Sequence, residues 1–166
     1  TAIFSVVNTL LLRPLPVEDV DRLAFVLAMR EYDDPFEAAL VDYLAVRDHG
    51  SSFAGTGVAQ RESFTLLDGD RPERIEAAAV SHDYLATLGV EPLRGRGFEA
   101  SDDRPGAPRV ALVGYGLWQR RFGGDPSLLG RTLTLEGEPY TVVGVLPPRF
   151  DLPLGTELWV PLALAV

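Results

Sequence analysis

The chain of 166 residues has no cysteine and no lysine, a single methionine that is not its first residue, and only two histidines. Without cysteine there is no disulfide and no thiolate zinc site, and the redox compartment stays open. Such a chain suits an oxidising periplasm without requiring one. His49 and His82 are the only imidazoles, and no HxxxH or HExxH spacing occurs, so a histidine-built metal site lacks its ligands. The cations number 15, all arginine, against 24 acidic residues, giving a net charge of −9. Nucleic-acid binding needs clustered cations that release counterions, so no nucleic-acid partner is expected. The absence of lysine itself reads as a coding bias. Thr1 stands first, with no basic n-region or cleavage pattern ahead of the apolar start, so the chain is expected to begin inside a larger protein.

A full membrane span is also missing. Ala2 to Leu12 is mostly apolar but stops at Arg13-Pro14-Leu15-Pro16. A bilayer span needs about 20 apolar residues. Residues 1–12 are therefore either the outer end of a truncated transmembrane helix or an amphipathic helix packed on the domain. Apolar residues on every side of the helical wheel, and an arginine at head-group depth, favour the first.

What remains is an ordinary globular composition, 46% hydrophobic and 23% charged, which argues against both disorder and a polytopic membrane protein. At this length a fold buries about 70% of its unfolded surface and needs no staples. Asp21 to Arg30 holds an unbroken apolar run and predicts a strand buried on both faces. Pro35 to His49 has helical spacing and ends at Gly50, and Ser52 to Gln60 follows as a second strand, giving a β-α-β unit. From Arg61 the pattern turns to hairpins. Ser63 to Leu67 and Ile75 to Val80 flank Asp68-Gly69-Asp70, and Thr132 to Leu135 and Tyr140 to Leu146 flank Glu136-Gly137. Between them lie a short helix capped by Ser81 and ended by Gly89, an exposed loop over Pro92 to Pro108, and a strand over Arg109 to Val113. A helix then runs from Tyr115 to Phe122, closed by Gly123-Gly124, and Asp125-Pro126 opens a further turn. Glu157 to Leu162 predicts a short strand, at a sheet edge because Pro161 cannot donate to a ladder.

The groups that could carry chemistry all have plainer readings. His49 sits by a helix-ending glycine, and His82 follows a capping serine. Asp33-Asp34 and Asp102-Asp103 offer paired carboxylates, but adjacent loop residues point apart and read as turn and cap residues. Asp68-Gly69-Asp70 lacks the later ligands of a calcium loop. Gly114-Tyr115-Gly116 lacks the rest of a dinucleotide or phosphate loop, and its glycines are expected to admit close strand–helix packing. Trp118, Phe122, Tyr140, Phe150 and Trp159 read as core, and Arg120-Arg121 with Arg131 as a solvated, salt-bridged face. No catalytic, cofactor-binding or metal-binding residue is assigned, and no cofactor is expected.

The order of short blocks along the chain is more specific than any one of them. Asn8, Leu11-Leu12-Arg13-Pro14-Leu15-Pro16, Asp21-Arg22-Leu23, Asp42-Tyr43-Leu44 and Ser52-Phe53 come first. Pro72-Glu73-Arg74, Tyr84-Leu85, Leu88-Gly89-Val90 and Gly95-Arg96-Gly97-Phe98 follow. Then come Gly116-Leu117-Trp118-Gln119-Arg120-Arg121-Phe122-Gly123-Gly124-Asp125-Pro126, Gly130-Arg131-Thr132-Leu133, Tyr140-Thr141-Val142-Val143-Gly144-Val145, Pro147-Pro148 and Glu157-Leu158-Trp159-Val160-Pro161-Leu162. Over nearly its whole length the chain resembles the MacB-like periplasmic core domain of FtsX-like permeases of the ABC-transporter superfamily, and within them the duplicated orphan permease branch.

The resemblance implies an α+β fold of two lobes in the periplasm at the bacterial inner membrane. Residues 1–12 would be the outer end of the first membrane helix, and 13–166 the periplasmic core domain. Within it, residues 13–60 would form the first part of a membrane-near β-α-β lobe. Residues 61–166 would form a β-rich lobe inserted in it, and the C-terminal return segment would be missing. Implied partners are the remaining membrane helices, a separate or fused cytoplasmic ATPase, a periplasmic adaptor, and a second copy or pseudo-dimeric half. The implied role is non-catalytic, a relay of ATP-driven helix motion to periplasmic partners or to substrate for export. The alternative is a freestanding periplasmic protein-binding or dimerisation module.

Overall fold

Two ten-residue strands form the longest ladder of the sheet. In the computed structural model, which describes residues 23, 43–47, 53–68 and 71–163, β1 (Ala59–Asp68) pairs antiparallel with β2 (Arg71–Val80). The register runs from Ala59 opposite Val80 to Asp68 opposite Arg71. Next come α1 (Tyr84–Thr87), β3 (Arg94–Gly95), β4 (Val110–Val113), α2 (Tyr115–Phe122), a 3-10 turn (Pro126–Leu128), β5 (Thr132–Leu135), β6 (Glu138–Val145) and β7 (Leu158–Pro161). Residues 43–47 are helical. The fold is mixed α+β, the class expected, with few helices and one large sheet.

The sheet has seven strands in the order β3-β6-β4-β7-β2-β1-β5, and β5 also pairs with β6. The ladder therefore returns on itself. With β3 as a side strand on β6, the other strands form a closed barrel, which removes open edges. The closing seam between β1 and β5 is narrow, with Leu66 opposite Leu135 and Leu67 opposite Thr134. Two of the pairings, β2 with β7 and β4 with β6, are parallel, and the chain between β4 and β6 carries α2.

Period-two alternation in the central strands feeds two cores on opposite faces. Ile75, Ala77 and Ala79 of β2, Ala111 and Val113 of β4, and Leu158 and Val160 of β7 join one core with Leu66, Leu117, Trp118, Leu133 and Leu135. Ala78, Val80, Leu112 and Trp159 join the other with Tyr84, Leu85, Leu88, Leu146, Phe150 and Leu152. Burial of each large aliphatic side chain stabilises by about 1.5–3 kcal/mol. Ala111-Leu112-Val113 and Leu158-Trp159-Val160 are short unbroken apolar runs because both faces of their strands are covered.

The expected helix over Tyr115 to Phe122, both hairpins and the Asp125-Pro126 turn are found. Gly123 (φ 63°) and Gly124 (φ 71°) end α2 in the left-handed region, and Glu136 (φ 49°) and Gly137 (φ 82°) form the tight turn between β5 and β6. Four expectations are corrected. No separate strand occupies 52–60: among its described residues, 53–58 are irregular, and the strand starts at Ala59 and runs on through the expected break. Ser81 does not cap α1; Asp83 is the N-cap residue, without a side-chain cap bond. The segment 92–108 is not merely an exposed loop, since it carries β3 and buries Asp102 and Asp103. Finally, β7 is not at an edge. It lies between β4 and β2, and Pro161 is tolerated because β4 pairs with β7 only at Leu112 and Val113, short of Pro161. The strand expected over 21–30 lies outside the described residues except Leu23, which packs on the second core. Residues 1–16, Asp33, Asp34 and His49 also lie outside them.

Candidate functional site: a polar joint at one end of the barrel

The row Ala59–Val80–Pro161 marks the end of the barrel where the described chain enters and leaves. Immediately beyond it, Ser81, His82 and Asp83 gather most of the buried polar contacts of that end. Ser81 is buried and ties the segment at Val58 to its own. Its amide donates to the Val58 carbonyl (3.0 Å), its hydroxyl accepts from the Val58 amide (3.0 Å), and its carbonyl accepts from Tyr84 (3.0 Å). The Ser81 hydroxyl donates to Asp83 Oδ1 at 2.5 Å. Asp83 also accepts from the hydroxyl of Tyr43 at 3.1 and 3.2 Å, which fixes the helical segment 43–47 to the same point. Burial, then the neighbouring Asp83 charge, pushes the Tyr43 hydroxyl above its ordinary pKa, so it stays protonated as the donor.

On the other side stands Asp103, whose side chain is 4% exposed. Its Oδ2 accepts from the His82 amide (2.9 Å) and faces His82 Nδ1 (3.4 Å), while its Oδ1 accepts from the amide of Ala163 (2.7 Å) on the chain leaving β7. A buried carboxylate is tolerable only with such donors. Its neighbour Asp102 points away, as expected of adjacent loop residues. It accepts from both Arg96 terminal nitrogens (2.6 and 3.2 Å) and from the Glu99 amide (2.8 Å). Burial alone would raise the Asp102 pKa, but Arg96 and the Glu99 amide outweigh it and hold the carboxyl below its ordinary value. The pair thus bolts the 96–104 loop to both the barrel and the outgoing chain, a larger role than turn and cap.

Packing against α1 is equally close. A Cβ on Gly57 would stand 2.8 Å from Tyr84 Cα, and the Thr87 hydroxyl donates to the Thr56 carbonyl at 2.9 Å. Shallow open grooves flank α1, one lined by Arg47, Phe53, Asp83 and Thr87, the other by His82, Leu85, Val90 and Phe98. Although serine, histidine and aspartate are consecutive here, the Ser81 hydroxyl donates to Asp83 and the His82 ring faces Asp103. The contacts therefore hold chain to chain, and no serine–histidine pair forms among them.

The other sequence candidates sit elsewhere. Arg120 and Arg121 form the expected ion-paired face: Arg120 bonds Glu157 (2.6 Å) and Glu73 (2.7 Å), and Arg121 bonds the Arg71 carbonyl (2.8 Å). Arg131 lies over the Phe122 ring at 5.7 Å. Trp118, Phe150 and Trp159 are buried, and Phe122 and Tyr140 pack partly buried against the first core. Gly114 is needed for close approach, since a Cβ there would meet the Glu157 carbonyl at 2.9 Å. Gly116, expected to share that role, has open space instead. Among the described residues no group of three or more His, Cys, Asp or Glu side chains could hold a metal, and no helix is long and apolar enough to cross a membrane. Sequence reasoning missed Tyr43, Ser81, Asp83 and Asp103 as one cluster. Their only local signal is a carboxylate pair inside a glycine- and proline-rich loop.

The fold resembles solved transporter domains. The extracellular domain of the noncanonic ABC-type transporter YknZ from Gram-positive bacteria superposes with a TM-score of 0.59 at 19% identity, covering 73% of this chain and 61% of that one. The periplasmic region of MacB from Actinobacillus actinomycetemcomitans gives 0.57 at 17% identity, covering 73% and 55%. The chain thus spans between about half and three fifths of the length of these domains. No curated protein matches it significantly. A family model described as the MacB-like periplasmic core domain matches residues 1–166. The chain belongs to the MacB-like periplasmic core domain family.

Proposed function

We propose that this domain relays motion. Membrane helices of the same permease, driven by a separate or fused cytoplasmic ATPase, would move it outside the bacterial inner membrane. The domain would pass that movement to a periplasmic adaptor, a second copy or pseudo-dimeric half, or the substrate to be exported. It works without catalysis and without a cofactor. In this reading residues 1–12 are the outer end of a membrane helix, Arg13-Pro14-Leu15-Pro16 is a semi-rigid joint, and the residues from 13 up to the start of β1 at Ala59 belong to a membrane-near lobe into which the barrel is inserted.

The observation that carries the reading is the row Ala59–Val80–Pro161. Neighbouring strands lie about 4.8 Å apart, so the incoming and outgoing chains leave the barrel about 10 Å from each other. Such closely spaced ends support the reading of a lobe inserted into another, which would follow its carrier as a rigid body. These 166 residues contain no cysteine, so a label introduced among them is unique within the domain. A single cysteine replacing exposed Arg104 in the full permease, spin-labelled in vesicles with its ATPase, reports the separation of two copies by pulsed electron resonance. Distance distributions that differ between ATP-bound and ADP-bound states support the relay. Identical distributions in an ATPase-competent complex refute it.

A further inference from the structure

We propose that Ser81-His82-Asp83 is a coupling joint that fixes the segment entering the barrel and the segment leaving it to one point, so that displacing one loosens or moves the other. The inference deepens the relay reading, on which its use in the permease rests. The incoming side is held by Tyr43 on Asp83 and by the reciprocal Val58–Ser81 pair. The outgoing side is held by Asp103, which grips the His82 amide with one oxygen and the Ala163 amide with the other. The two sides share three consecutive residues, and the Ser81 hydroxyl joins the two incoming ties by donating to Asp83 while accepting from Val58. Hydrogen bonds join Tyr43, Asp83 and Ser81, the Ser81–His82 peptide bond carries the path on, and hydrogen bonds join the His82 amide, Asp103 and Ala163. Ser81 and Asp103 are buried, which keeps water from replacing a lost partner cheaply. The strands beneath are fixed as well, since Leu162 donates to the Val80 carbonyl at 2.9 Å.

Tyr43→Phe keeps the packed ring and removes only the hydroxyl that holds Asp83. Residue-resolved amide exchange by NMR on the full chain reads the effect at the far end. The joint predicts that the Ala163 and His82 amides exchange about tenfold faster in Tyr43→Phe, although neither bonds to Tyr43. Asp103→Asn, which leaves one of the two amides facing an NH2 donor, should in turn speed exchange at Val58. In the double variant the two effects should fall short of multiplying, because the first substitution has already opened the shared path. If Tyr43→Phe speeds exchange only at residues 43–58 and leaves Ala163 within twofold, the two sides are independent ties and the proposal is wrong. Should Tyr43→Phe unfold the chain, Ser81→Ala with the same readout replaces it. The exchange data concern the chain alone, so their failure is distinct from a failure of the nucleotide-dependent distances.

Discussion

Trp159→Phe tests whether β7 is the buried centre of the barrel. The indole is fully buried, its N–H donates to the Leu152 carbonyl at 2.8 Å, and its ring lies 5.4 Å from that of Phe150. Phenylalanine keeps most of the apolar surface but leaves the Leu152 carbonyl unpaired, at a cost of about 1–3 kcal/mol. The missing ring leaves about 40 Å³, which at about 24 cal/mol per Å³ adds about 1 kcal/mol. The expected loss is about 2–4 kcal/mol, a large share of a stability of about 5–15 kcal/mol. With a urea slope of about 2 kcal/mol per molar, the midpoint falls by about 1–2 M, read by far-ultraviolet circular dichroism. Trp118→Phe is the control. Its indole donates to the carbonyl of exposed Asp125 at 2.9 Å, where water can take over, so its loss should be no more than about 1 kcal/mol. A midpoint shift for Trp159→Phe equal to or smaller than that for Trp118→Phe, at unchanged slope, would refute the central placement of β7.

Further outcomes follow from the same contacts. Gly114→Ala should destabilise by about 1–3 kcal/mol, because its Cβ meets the Glu157 carbonyl, whereas Gly116→Ala, exposed within α2 with nothing near it, should stabilise by about 0.5–1 kcal/mol in the same urea titration. Asp102 titrates below its ordinary value of 3.8 in the fold, so its contribution is present above that pH and is lost as pH falls through its depressed pKa. Thermal melts should therefore drop on acidification below about pH 4, and Asp102→Asn should be less stable at neutral pH and flatter across that window. Arg120→Met should cost at most about 1 kcal/mol, since the residue is half-exposed, and 0.5 M salt should shrink the difference.

Elements with local punctuation were legible in the sequence. Gly123-Gly124 after a helical run, Asp125-Pro126 and Glu136-Gly137 each encode their backbone shape, and the structure follows them nearly residue for residue. The place of β7 in the sheet was not legible. Pro161 speaks of an edge, but what decides is how far β4 extends beside it, a fact about a strand some fifty positions earlier. Likewise, Ser81 has the chemistry of a cap, and only the arrival of Val58 diverts its hydroxyl. The joint escaped for the same reason. Tyr43, Ser81, Asp103 and Ala163 are brought together by tertiary packing, and no spacing in the chain encodes that.

The barrel's seam has a mechanical consequence. Closure rests on Leu66–Leu135 and Leu67–Thr134, near the far tip of the β1–β2 hairpin and about 25 Å along β1 from Ala59. A tug applied where the backbone enters and leaves would peel β1, β2 and β7 apart from their shared end, like opening a zip, and would reach that clasp last. Swung bodily by its neck, the same cylinder carries no such strain. Its shape is suited to being tilted and poorly suited to being stretched.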